Sequence, residues 1–125
     1  NLKTADARAA LPYQLENSQA VLASAVANTF VASLFAKNYD VAFKLMEADR
    51  FHEPYRKELV PELDQIRELG KKHGALATYL SGAGPTVMTV IDNDDYGLFE
   101  QAVHAAGLKG KVVRLHPDVE GVKLI

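Results

Sequence analysis

Between Leu15 and Lys37 the apolar positions recur every three or four residues. Leu22, Val26, Thr29, Phe30, Ser33 and Leu34 share one row, which predicts a helix with that row facing inward. Asn17 or Ser18 can cap its start by accepting a hydrogen bond from a first-turn amide, and Asn38 tolerates the left-handed conformation that ends helices. Asp40 is placed to cap a second helix, whose inward row of Ala42, Leu45 and Met46 turns polar at Asp49. Pro54 and Pro61 interrupt the next stretch of chain. Pro61 suits the first position of a further helix, where its missing N–H would be unpaired anyway, with Leu63, Ile66 and Leu69 as the stripe and Gly74 as the stop.

At Leu76 the period shortens. Leu76 to Leu80 and Val87 to Ile91 read as strands joined by Ser81-Gly82-Ala83-Gly84-Pro85. Asp94 or Asp95 caps a helix with Phe99, Ala102, Val103 and Ala106 inward and Gly107 at its end. Val112 to Leu115 and Val122 to Ile125 read as two final strands around Asp118-Val119-Glu120-Gly121. This order of helices, hairpin, helix and hairpin predicts an α+β fold, a small antiparallel sheet of about four strands with helices packed on one face. No repeat, linker or low-complexity stretch interrupts residues 1–125, so a single domain is expected.

The 125 residues are 48% hydrophobic and 24% charged, an ordinary mix for one domain. A chain of this size buries roughly two-thirds of its unfolded surface, enough for a core without disulfides or a structural metal. No run is expected to reach the roughly 18 apolar residues of a membrane span, and no signal-peptide pattern opens the chain. With 14 Lys and Arg against 16 Asp and Glu, the net charge of -2 offers no global field for nucleic acid or an anionic membrane. Zero Cys removes thiolate catalysis, Cys-type zinc sites and iron–sulfur clusters, and is compatible with a cytoplasmic location. The chain begins at Asn1 rather than Met, so a piece of a longer protein is expected.

No metal site is expected. The four His residues have no pair at four-residue spacing, and His52-Glu53 begins like a zinc-protease motif but has Arg56 where the second His must stand. Asp92-Asn93-Asp94 with Gly97 hints at a calcium loop, yet Tyr96 fills a ligand position and Val103 replaces the closing carboxylate; a turn and helix cap explains it better. Ser81 to Gly84 could leave backbone N–H groups open to an anion, but a tight turn between strands would choose glycine as well, and no Gly-Lys-Ser/Thr follows. Arg56 lies in a cluster of ionisable and aromatic residues, Asp49 to Arg56. Its guanidinium could hold a carboxylate or phosphate in fixed orientation, or could simply pair with Asp49 or Glu53. Arg8 reads as a surface residue by default.

Three segments together carry more. Thr4-Ala5-Asp6-Ala7-Arg8-Ala9-Ala10-Leu11-Pro12, Asp49-Arg50-Phe51-His52-Glu53-Pro54-Tyr55-Arg56 and Tyr79-Leu80-Ser81-Gly82-Ala83-Gly84-Pro85-Thr86 resemble, in order and spacing, the C-terminal half of the homoserine kinases, a family of the GHMP small-molecule kinase superfamily. The glycine segment resembles the motif shared across the superfamily; His-Glu-Pro-Tyr-Arg points to the homoserine kinases within it. The resemblance implies a ferredoxin-like domain and a missing N-terminal half that holds most of the ATP and Mg2+ site, so this chain alone would be inactive. It implies ATP-dependent phosphorylation of the L-homoserine hydroxyl in threonine biosynthesis. Arg8 and Arg56 would grip the homoserine carboxylate, Thr4 would line the transfer cleft, and Ser81, Gly82, Ala83 and Gly84 would support the phosphate loop.

No catalytic base follows from the resemblance, since such kinases work by positioning and charge stabilisation. Glu53 stands where many relatives carry Gln, and His52 reads as a structural packing residue. Two other readings stay open: a GHMP kinase for mevalonate or a sugar, and a non-catalytic α+β module that binds amino acids. Apolar surface left bare by a missing half would favour a homodimer.

Overall fold

The computed structural model describes residues 2–123. Among these the chain runs α1 (Thr4–Ala9), α2 (Asn17–Phe35), α3 (Tyr39–Met46), α4 (Glu53–Arg56), a 3-10 turn (Lys57–Leu59), α5 (Glu62–Lys72), β1 (Ala77–Leu80), β2 (Val87–Val90) and α6 (Asn93–Ala105). The α+β reading holds, and the short helices α1 and α4 are additions to it. Both lack a stripe long enough for periodicity to register.

β1 and β2 form an antiparallel hairpin in register from Ala77 opposite Val90 to Leu80 opposite Val87. Successive residues of a strand point to opposite faces, yet neighbouring Ala77 and Thr78 are 2% and 1% exposed. Both faces of β1 are therefore covered, which corrects the expectation of helices on one face only. Leu80 packs with Val60 and Leu63 at the α5 side, together with Leu2 and Val87. Tyr79 points the other way, into a space it shares with Val26 and Phe30 of α2 and Leu45 and Met46 of α3.

The predicted third and fourth strands are absent among the described residues. Val112 to Leu115 has no strand assignment, and Val113 and Leu115 stay exposed. A strand exists only by hydrogen bonding to a neighbour, and this alternating segment has no backbone partner among the described residues. Val122 is also exposed, while Leu124 and Ile125 of the expected last strand lie outside the described residues.

Helix ends shift by a residue or two. α2 starts at Asn17 without a side-chain cap, and Lys37, with φ 55°, takes the left-handed turn expected of Asn38. Asn38 caps α3 instead, its Oδ1 accepting from the Val41 amide at 3.4 Å, which leaves Asp40 in the first turn. Pro61 precedes α5 by one position, and Asp92 stands at the start of α6 with Asp94 and Asp95 inside its first turn. Gly74 and Gly107 do end their helices.

α2 departs furthest from expectation. Its packed row is Ala23, Val26, Phe30 and Ser33, whereas Leu22, Thr29 and Leu34 are exposed along with Val21, Val31 and Phe35. A helix apolar on every side offers periodicity no face to select. At 19 residues and a mean hydropathy of 1.4 it is also long and apolar enough to cross a membrane, contrary to what its sequence leads one to expect; core helices of globular domains meet the same test.

α5 approaches β1 closely because Gly70 has no side chain. A β-carbon there would lie 2.9 Å from Thr78 Oγ1 and 3.0 Å from the Ala75 methyl. Gly70→Ala gains about 1 kcal/mol of helix propensity. The overpacking penalty of about 1–3 kcal/mol is larger, because Thr78 is buried and bonded to Thr89. The variant should unfold at lower urea concentration with an unchanged m-value; a higher midpoint would show that Thr78 yields freely.

Candidate functional site

Asp49 organises the segment after α3. Its Oδ1 accepts from the Phe51 amide at 2.9 Å, and its Oδ2 accepts from the amides of His52 at 3.0 Å and Glu53 at 2.7 Å. The amides of His52 and Glu53 stand at the cap and first position of α4, where no helical carbonyl can meet them. Burial pushes the Asp49 pKa up, but the Glu53 and Phe51 amides, the charge on His52 and the His52 amide outweigh it and hold the carboxyl below its ordinary value. One turn then separates Glu53 from Arg56, so both face the interior, at 8% and 6% exposure.

Arg56 pairs with neither Asp49 nor Glu53. Its Nε donates to the Ala7 carbonyl and its Nη1 to the Gly82 carbonyl, each at 2.9 Å. Its Nη2 has no partner among the described residues, and none of their buried side-chain nitrogens or oxygens is left unpaired, so Nη2 is reached from the adjoining cavity. Carbonyl partners satisfy the guanidinium without cancelling its charge.

That cavity, about 530 Å³, is lined by Thr4, Arg8, Asp49, His52, Arg56, Gly82 and Ala83 among others. It thus brings Arg8 and Arg56 together, and Ala7, which accepts from Arg56, is the residue before Arg8. Arg8 and Thr4 are exposed side chains of α1. Of the glycine segment, Gly82 and Ala83 reach the cavity. Ser81 and Gly84 build the turn instead, with the Ser81 amide donating to Thr86 O and the Gly84 amide to Ser81 O. Gly84 has φ +76°, and a β-carbon there would press on Leu2 at 3.2 Å. His52 is exposed at the rim, its Nδ1 3.5 Å from Asp49 Oδ2, rather than packed inside.

Beneath Arg56 lies a network that motif reading missed. Glu53 Oε1 accepts from Arg67 Nη2 at 2.7 Å, and its Oε2 accepts from the Leu80 amide at 3.0 Å. Arg67 also donates through Nε and Nη2 to the Thr78 carbonyl, at 3.0 and 2.9 Å, while Glu47 Oε1 accepts from the Thr78 amide at 2.6 Å. A signal for Arg67 existed. It sits between Leu63 and Gly70 on the inward row of α5, four residues after one and three before the other.

Among the described residues no three His, Asp or Glu side chains gather in a way that could hold a metal ion. The cavity's own carboxylates, Asp49 and Glu53, are committed to amides and to Arg67. What remains available is two cations, Arg8 and the open edge of Arg56, and two neutral donors, the Gly82 and Ala83 amides, which have no acceptor among the described residues.

Residues 30–109 match the family described as GHMP kinases C terminal. The chain belongs to that family. It is 57% identical over 98% of its length to a homoserine kinase of Limosilactobacillus fermentum and 54% identical over its full length to one of Lactobacillus acidophilus. It spans 43% and 44% of those two proteins. The crystal structure of homoserine kinase from Cytophaga hutchinsonii matches 86% of this GHMP kinase domain with a TM-score of 0.75 and 29% identity, using 34% of that longer chain.

Because the Asp49 pKa is depressed from 3.8, its ionised form contributes stability that is fully present above that value and lost as pH falls through the lowered one. The stability gap between wild type and Asp49→Asn should hold constant from neutral pH to roughly pH 5 and narrow below it. Urea midpoints across this range give the answer, and a gap that persists in acid would contradict the assignment.

Proposed function

We propose that this chain is the C-terminal, substrate-binding part of a homoserine kinase, which phosphorylates the side-chain hydroxyl of L-homoserine with ATP to give O-phospho-L-homoserine in threonine biosynthesis. One observation carries the reading: Arg8 and Arg56 open onto a single cavity, and Arg56 arrives there already fixed by two carbonyls. A guanidinium immobilised before the ligand binds loses little further side-chain entropy, and its planar donors match a carboxylate.

Homoserine bears its carboxylate at the end opposite the reacting hydroxyl. Gripping that end orients the nucleophile without competing with phosphoryl transfer. Arg8 supplies the second cation and Thr4, on the same helix, a hydroxyl. Amides of Gly82 and Ala83, which line the same cavity, suit the oxygens of a nucleotide phosphate, while Ser81 and Gly84 hold the turn that carries them. The carboxylates present do not fit a magnesium site, since each is already engaged; Mg2+ and most of the ATP would be held by a part of the protein beyond this chain. The chain alone is then inactive. A pair of arginines has no reason to select a neutral sugar, so a substrate screen of the complete protein separates homoserine from sugar acceptors.

Arg8 is exposed, which makes it the cleaner probe. In the complete protein Arg8→Ala should raise the KM for homoserine about tenfold with little change in the KM for ATP or in Tm. Arg56→Lys keeps a charge but cannot span both carbonyls, so it should raise the homoserine KM further and lower Tm. Equal losses for both substrates in Arg8→Ala would count against a carboxylate clamp.

A further inference from the structure

Glu53 lies one helical turn from Arg56, close enough for the two to pair, and a paired Arg56 would present little net charge to a ligand. The structure prevents this by occupying Glu53. Both of its oxygens are taken, one by Arg67 at 2.7 Å and one by the Leu80 amide at 3.0 Å. Arg67 is in turn locked by two bonds to the Thr78 carbonyl, so it cannot follow Glu53 elsewhere.

The same bonds close a loop of connections. Glu53 holds Leu80, Leu80 leads by two residues to Gly82, and the Gly82 carbonyl accepts from Arg56 on the same helix as Glu53. A four-residue helix has no stability of its own, so its distance from the hairpin must be set by contacts of this kind. We propose that the Glu53–Arg67 pair is a positioning device for the anion site: it holds the Glu53 carboxylate off Arg56, so that the charge of the Arg56 guanidinium stays uncompensated and aimed into the cavity. The inference rests on reading that cavity as a carboxylate site, and neither Glu53 nor Arg67 need touch the substrate.

Removing Arg67 frees a buried carboxylate one helical turn from Arg56. Removing the carboxylate as well should undo the harm. In the complete protein Arg67→Gln should raise the homoserine KM about tenfold with the ATP KM nearly unchanged, and Arg67→Gln with Glu53→Gln should bring it back to within about threefold of wild type. A role in stability alone would move the homoserine and ATP KM values together. That outcome, or a double variant no better than the single one, overturns the proposal.

A second readout needs no activity. The Arg56 Nε–H, bonded to the Ala7 carbonyl, should give a protected side-chain 15N–H signal, assigned by its loss in Arg56→Lys. It should weaken in Arg67→Gln and return in the double variant; an unchanged signal in folded Arg67→Gln overturns the positioning role. If the wild-type protein does not phosphorylate homoserine, the functional reading falls while this measurement still decides the role of Glu53. Should Arg67→Gln fail to fold, Arg67→Lys takes its place with the same expected directions, because a single ammonium cannot hold Glu53 and Thr78 together.

Discussion

A guanidinium keeps its proton at any pH a protein survives, so burying one obliges the fold to bring acceptors to it. For Arg56 those acceptors are backbone carbonyls of Ala7 and Gly82, which are 49 and 26 residues away in the chain. The obligation joins α1, α4 and the turn after β1 at one point. The cavity follows from this convergence, since Arg8 enters beside Ala7, and Gly82 and Ala83 line the same space. Using carbonyls instead of carboxylates leaves the charge uncancelled, which is what a site for an anion requires.

The acids around Arg56 are handled separately. Asp49 spends its lone pairs on three amides, and Glu53 and Glu47 are drawn to Arg67 and the β1 backbone. A buried ion pair is weak evidence for stability, because desolvation offsets most of the attraction. Its geometric effect is clearer here. Thr78 is gripped by Glu47 at its N–H and by Arg67 at its carbonyl, so a hairpin of four-residue strands, marginal by itself, is held in one register against α5.

α2 shows the other side of this economy. It packs through Ala23, Val26, Phe30 and Ser33 and leaves Val21, Val31 and Phe35 in solvent. The chain covers about two-fifths of the length of its curated relatives. Beside α2 a smaller cavity of about 280 Å³, lined by Phe30, Met46, Phe51 and Tyr79, shares the Asp49 side chain with the cationic one.

Local chemistry was readable wherever a residue's conformation is decided by its neighbours in the chain. The long helices, the hairpin with its glycine turn, and the stops at Gly74 and Gly107 all announce themselves through period and backbone freedom. The three motif segments likewise carried the family. Face and partner were not readable. Which side of the apolar α2 packs, whether Val112 to Leu115 finds a strand to pair with, and that Arg56 would bond to carbonyls while Glu53 turned to Arg67 are choices among competing contacts. Only the assembled fold makes them, because each depends on residues dozens of positions away whose distance no spacing in the sequence encodes.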